Sequence, residues 1–294
     1  MTTVGAVFNP YQNPPEVFRA AVETAEQAGV PELWLWEDCF RESAFASAAA
    51  ALAWTDRLRI GVGIAPMPLR NVAATAMEVA TIERMFPGRL YPGMGHGVLP
   101  WMAQVGARVA SPLTLMREYI PALRGLLAGD EVTFTGRYLT LDRVRLDYPP
   151  ETAPAVYAAG EGPKTLTLTG EVADGTILVA GHTPAEFAEQ IRAVRDGRAL
   201  QDAAHPAPSS TSPAIIAYVT AAFGAGAEAR VRAELGDRGI DEDRAVWGDP
   251  DGVAAAVQRF AAVGVDTVAL VPAEGEADFA GFLHAVGEVE RLVA

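Results

Sequence analysis

Arg59 to Trp101, RIGVGIAPMPLRNVAATAMEVATIERMFPGRLYPGMGHGVLPW, reads as strand, loop, helix, strand and glycine-rich loop. Ile60, Val62 and Ile64 form a short β-rich run that stops at Pro66 and Pro68. Asn71 is placed to cap a helix, because its side-chain oxygen can accept from the free amides of a first turn. Val72, Ala76, Val79, Ile82 and Phe86 recur at helical spacing and give that helix one buried face. Pro87-Gly88 ends it, Arg89 to Tyr91 start a second strand, and Gly93-Met94-Gly95-His96-Gly97 follows as a loop. Two strands joined through a helix lie parallel and end on the same edge of the sheet. That edge carries Ala65 to Arg70 and Met94 to Gly97, and chemistry is expected there.

The same alternation extends in both directions. Val4 to Phe8 is a strand, Pro14-Pro15-Glu16 opens a helix that Gly29 closes, and the apolar run Leu33 to Trp36 turns acidic at Glu37-Asp38. An alanine-rich helix spans about Glu42 to Trp54. Downstream, Ser111-Pro112 starts a helix, and Val132 to Leu141 around Thr135-Gly136-Arg137 switch to period two, the mark of a β-hairpin. That hairpin interrupts the alternation and reads as an insertion on the barrel face. Residues 197–213 read as loop, the segment from the helix near Gly226–Gly236 up to Trp247 as a polar connection, and Asp249-Pro250 as a helix cap. Strands beginning near 4, 33, 59, 89, 154, 175, 214 and 266, with helices between almost all of them, predict a (β/α)8 barrel over residues 1–294 as one domain. An open doubly wound sheet is disfavoured, since no G-x-G-x-x-G follows the first strand.

Half of the 294 residues are hydrophobic, enough for a large core. A formal net charge of −14 argues against nucleic acid or an anionic membrane as partner. No stretch approaches the roughly 18 apolar residues of a membrane helix, the first ten residues do not resemble a signal peptide, and Cys39 is the sole cysteine. A cytoplasmic protein acting on a small molecule is expected.

Glu37 and Asp38 directly follow an apolar strand, where barrel carboxylates position ligands or exchange protons; alternatively one of them caps the next helix. Cys39 has no sequence-level partner to activate it and, with Phe8, is expected to line the substrate pocket. His96, between two glycines, can hydrogen-bond a flat ligand or shuttle a proton. His182 is a weaker candidate, and His205 and His284 read as surface residues. No spacing suggests a metal site. Gly160-Glu161-Gly162-Pro163-Lys164-Thr165 is a strand end leading into a helix start. Free amides at Gly162, Lys164 and Thr165, the Thr165 hydroxyl and the helix dipole suit a phosphate.

Taken in order, several short motifs form a set. They are Glu37-Asp38-Cys39-Phe40, Leu69-Arg70-Asn71, Ala80-Thr81 through Pro87-Gly88-Arg89, Gly93 to Gly97, Gly162-Pro163-Lys164 to Ala173-Asp174-Gly175, Trp247 to Pro250 and Gly264-Val265-Asp266. The set resembles the bacterial luciferase-like monooxygenase superfamily, in particular its deazaflavin (coenzyme F420)-dependent, methylenetetrahydromethanopterin reductase-like branch. The resemblance implies a barrel holding a flavin-type ring at the carboxyl ends of its strands, with F420 favoured over FMN, and a homodimer. It also implies a cis peptide at Gly63-Ile64, a ring backed by Gly63, Ile64 and Ala65 and bordered by Met94 and Gly95, and a phosphate on Gly160 to Thr165. Hydride transfer is the expected reaction. With FMN, oxygen activation supported by a flavin reductase is the alternative, and a non-catalytic flavin-binding barrel is a third reading. The branch usually places histidine after the strand-two aspartate; Cys39 stands there instead, so His96 or Glu37 is expected to take its proton role. The negative charge of the chain also opposes a cofactor with a polyglutamate tail, unless a basic patch near Lys164 offsets it.

Overall fold

The computed structural model describes residues 2–204 and 212–294. Its strands are β1 (Thr3–Phe8), β2 (Glu32–Leu35), β3 (Arg59–Pro66), β4 (Leu90–Gly95), β5 (Val132–Thr135), β6 (Thr140–Val144), β7 (Tyr157–Ala159), β8 (Gly175–Leu178), β9 (Ala214–Phe223), β10 (Ala245–Gly248) and β11 (Thr267–Pro272). The helices are α1 (Phe18–Ala28), α2 (Ala44–Trp54), α3 (Val72–Met85), α4 (Leu99–Gln104), α5 (Pro112–Leu127), α6 (Pro163–Val172), α7 (Pro184–Ala204), α8 (Ala227–Leu235), α9 (Asp237–Asp241), α10 (Pro250–Ala262) and α11 (Phe279–Val293). Strands β1, β2, β3, β4, β7, β8, β9 and β11 pair in that order, all parallel, and β11 pairs back to β1. This is a closed (β/α)8 barrel, built from the eight strands that the sequence pattern marks.

Alternation along each strand divides the core in two. Outward residues such as Leu33, Leu35, Ile60 and Val62 pack under the helices. Inward residues fill the barrel, centred on Trp34, whose ring lies 6.1 Å from Tyr91, 6.0 Å from Tyr157 and 6.2 Å from Tyr218. So large a cluster fits because β3 presents glycine inward: a Cβ on Gly61 would run into the Trp34 ring, and one on Gly63 into the Tyr218 hydroxyl. At the amino-terminal end of the strands, buried Glu32 accepts from Trp34 Nε1 (3.2 Å) and from Arg59 (3.2 Å).

Local signals behave as their chemistry predicts. Asn71 Oδ1 accepts from the Ala73 amide (2.9 Å), Asp249 Oδ1 from Gly252 (2.8 Å), and Gly29 leaves α1 with φ 80°. Arg89 gathers the carbonyls of Leu52, Thr55 and Leu58, which tie the end of α2 to the start of β4.

Three expectations need correcting. Gly93 to Gly95 are strand, not loop, so the loop begins at His96. The expected loop at 197–213 is helix as far as Ala204, since α7 continues past Val194; 205–211, with His205, lie outside the described residues. The polar connection before Trp247 contains α9 and a further parallel strand, β10, paired with the upper half of β9. Its buried residues are Ala245 and Val246, and four charged residues just before them hide so short an apolar run. The hairpin β5–β6 lies along α5, where Glu118 accepts from the Arg137, Tyr138 and Leu139 amides, and its Tyr138 hydroxyl accepts from the Ser111 amide.

Candidate active site

A cleft of about 440 Å³ opens at the carboxyl ends of the strands, where barrels carry their chemistry. Its floor is β3. Pairing with β4 shifts register between Val62 and Ala65, and this bulge turns both Gly63 and Ile64 inward. The Gly63–Ile64 peptide is cis, as expected, and Cys39–Phe40 is a second non-proline cis bond that the sequence does not signal. Behind the bulge, Tyr218 of β9 donates to the Gly63 carbonyl (3.2 Å). Sequence reading missed this residue, because it sits inside an ordinary apolar strand. On β4, Gly95 lies flat against Ile64: a Cβ there would be 2.7 Å from Ile64 Cγ1.

The structure sorts the candidates into three groups. Asp38, His96, Ile64, Gly95, Gly160, Glu161, Gly162 and Thr165 line the cleft together, and Glu37 contributes to its wall. Ala65 and Met94 turn their side chains to the helix layer, so only their backbone lies along this edge. Phe8 does not reach the cleft. It is on the helix side of β1, against Phe18 (4.8 Å) and Phe279 (5.8 Å), because Val7 takes the inward position. Cys39 lies in an adjoining open pocket with Phe40 and Leu69, and burial together with Glu37 and Asp38 pushes its thiol pKa up. That opposes a thiolate role.

Glu37 and Asp38 differ although adjacent. Buried Glu37 is held by Arg70 (2.9 Å from Nη2 to Oε2) and accepts from the Ala44 amide (2.9 Å), fixing the start of α2. Its oxygens are thus committed to structure. Asp38 accepts one bond, from the Tyr11 hydroxyl (2.8 Å). Burial raises its pKa, and the Tyr11 bond and Arg41 partly offset this. His96 is different again: neither ring nitrogen has a hydrogen-bond partner among the described residues, and burial lowers its pKa. Neutral imidazole nitrogens held in this way call for a partner from outside the chain.

On the far wall, α6 begins at Gly162 with no side-chain cap and no acidic residue in its first turn. The Thr165 amide is taken by the Gly162 carbonyl (2.9 Å), so the amides open to an anion are those of Gly162 and Lys164. Lys164 is exposed beside them. His182 is turned to its own chain, with Nδ1 3.1 Å from the Val179 carbonyl. Among the described residues no cluster of His, Cys, Asp or Glu could hold a metal ion, and no helix is long and apolar enough to cross a membrane.

Barrel, bulged third strand and cleft together define a (β/α)8 protein with a ligand-sized cleft at the carboxyl ends of its strands. The family model for luciferase-like monooxygenases matches residues 2–236, and the chain belongs to that family. Among curated relatives, a 5,10-methylenetetrahydromethanopterin reductase of Methanolobus tindarius is 29% identical over 173 residues, 59% of this chain and 52% of that protein. An F420-dependent hydroxymycolic acid dehydrogenase of Mycobacterium tuberculosis is 28% identical over 284 residues, covering 90% of this chain and 68% of the relative. The chain spans about half the length of the two methylenetetrahydromethanopterin reductases that it matches. Among solved structures, an F420-dependent secondary alcohol dehydrogenase in complex with an F420-acetone adduct superposes with a TM-score of 0.82 at 21% identity, over 100% of this chain and 99% of the other. The coenzyme F420-dependent tetrahydromethanopterin reductase of Methanopyrus kandleri gives 0.79 at 20% identity, over 97% of each chain. These superpositions carry the fold.

Proposed function

We propose that the protein is a coenzyme F420-dependent oxidoreductase that moves a hydride between the deazaflavin ring and a small organic substrate. The observation that carries this reading is the content of one cleft: a bulged seat at Gly63 and Ile64, the unpartnered nitrogens of His96, and the uncapped start of α6. A ring on the bulge would satisfy His96, and a phosphate on its tail would meet the amides of Gly162 and Lys164. Gly160, Glu161, Pro163 and Thr165 shape that second end. When bound, a deazaflavin supplies a two-electron hydride donor or acceptor. The chain's own part is to hold the ring flat, exclude water, and present the Asp38 carboxyl, whose pKa burial raises, at the cleft wall for proton exchange. Glu37 serves by fixing the loop through Arg70 and Ala44. F420-dependent proteins among the relatives and superposed structures support the cofactor. The same proposal includes a cytoplasmic location and a homodimer, for which the exposed Met77 and Met85 of α3 offer apolar surface.

Titration of the purified protein with F420 and, separately, with FMN tests this by cofactor fluorescence. Tight binding of F420 alone is the expected result. Tight binding of FMN alone would replace the reading by an oxygen-activating monooxygenase served by a flavin reductase. Binding of neither would remove the oxidoreductase reading.

A further inference from the structure

We propose that Tyr11 is the positioning residue of Asp38, holding one carboxyl oxygen and passing it protons from solvent, so that Asp38 is the proton donor to a carbonyl substrate. The proposal rests on the hydride-transfer reading of the cleft. Tyr11 lies in the turn after β1, where its amide donates to the Asn9 side chain (2.9 Å). Its hydroxyl donates to Asp38 Oδ2 at 2.8 Å. The Arg41 guanidinium lies 3.9 Å over the Tyr11 ring, and the Arg41 amide donates to the Asp38 carbonyl (2.9 Å). Two strand-end loops are thereby interlocked through three side chains.

This arrangement separates the two oxygens of Asp38. Oδ2 is tied to Tyr11, whereas Oδ1 has no hydrogen bond among the described residues and belongs to a residue lining the cleft. Tyr11 is itself 45% exposed, so its hydroxyl links a carboxyl in the cleft wall to bulk water. Tyr11 faces Asp38 from the β1 loop, Arg41 and Cys39 from its own loop, and Tyr218 from β9, while His96 from the β4 loop and Glu161 from the β7 loop line the same cleft and Glu42 borders the adjoining pocket. Neighbouring Glu37 is ion-paired with Arg70.

As the carbonyl carbon gains a hydride from reduced deazaflavin, the C=O π pair moves to oxygen and takes the proton from Asp38, breaking its O–H bond. Asp38 is left as carboxylate. Tyr11 then gives its hydroxyl proton to Oδ2 while taking one from water, and a half-turn of the carboxyl about its Cβ–Cγ bond brings the protonated oxygen to the cleft. This route supplies a proton where the deazaflavin branch has the histidine that Cys39 replaces.

Tyr11→Phe keeps the ring under Arg41 and removes the hydroxyl alone. The Asp38 carboxyl is followed by 13C NMR across pH in the protein without cofactor, with Asp38→Asn serving for assignment. Burial raises this pKa and the Tyr11 bond lowers it, so the titration moves to higher pH in Tyr11→Phe. Arg41→Gln, which keeps the hydroxyl and removes the charge, moves it the same way. Coincident titrations of wild type and Tyr11→Phe would overturn the pairing. Turnover of reduced F420 with acetone, the smallest probe ketone, tests the donor role. The basic limb of the kcat profile moves up in Tyr11→Phe, kcat falls roughly tenfold, and KM changes little. An unmoved limb beside a moved carboxyl titration would overturn Asp38 as donor. No turnover in either protein counts against the hydride-transfer reading and the donor role together, while the carboxyl titration still decides the pairing.

Discussion

The two ends of the barrel interior are built on opposite principles. Towards the amino-terminal end, Trp34 packs on Tyr91 and Tyr157, and Glu32 finds both Trp34 and Arg59. There the aromatic rings pack on one another and the Glu32 carboxylate is bonded, while Arg59 Nε keeps no hydrogen-bond partner among the described residues. At the carboxyl-terminal end, both His96 nitrogens and one Asp38 oxygen have no partner among the described residues, and a cleft of about 440 Å³ stays open. One end stabilises the fold and the other keeps bonding capacity for a ligand. Tyr218 and Gly63 join them, since the same hydroxyl borders the packed cluster and holds the bulge.

The largest expected effect comes from breaking the packed end. Trp34→Ala should destabilise by about 3–5 kcal/mol, seen as a lower urea midpoint. If its stability were unchanged, the comparison between the ends would fail. Gly63→Ala sits at the junction. The new methyl meets the hydroxyl of buried Tyr218, which must shift, so about 1–3 kcal/mol is lost and F420 binding with it. Retained tight binding would show that the bulge is not the ring seat.

His96→Gln probes the open end. F420 affinity should fall roughly tenfold, with the urea midpoint at pH 8 unchanged. The same variant carries a pH signature. Burial lowers the His96 pKa below its usual 6.5, so the unfolded chain takes up the proton first. Wild type therefore loses stability relative to the variant as pH falls below 6.5, and equal acid sensitivity would show that this imidazole is not buried in solution. The smallest effect is expected from exposed Lys164. Lys164→Met should weaken F420 by a few-fold at low salt, with the difference fading as salt rises and no change in unfolding. A salt-independent difference would remove charge as the cause.

Much of the fold was legible because its signals are local. Pro-Gly after Phe86, the Asn71 and Asp249 caps and the βαβ alternation each depend on a few neighbouring residues. Strand β10 was hidden by its charged flank, and α7 beyond Val194 by a polar, weakly periodic surface. In the site, Asp38, His96 and the α6 start were visible from their places after strands. Phe8 was misplaced because inward and outward differ by one residue, and which parity faces in is set by pairing with neighbouring strands.

The sequence by itself determined the number of barrel strands, the edge that carries chemistry, and the residue types available there. Tertiary structure alone decided how those residues divide the work. Glu37 and Asp38 are neighbours in the chain, yet one is bound to Arg70 and the other to Tyr11. These partners come from different strand-end loops, brought together only when the barrel closes. No local pattern encodes that meeting, because hydrogen bonding and burial depend on which chain segments arrive at the same place.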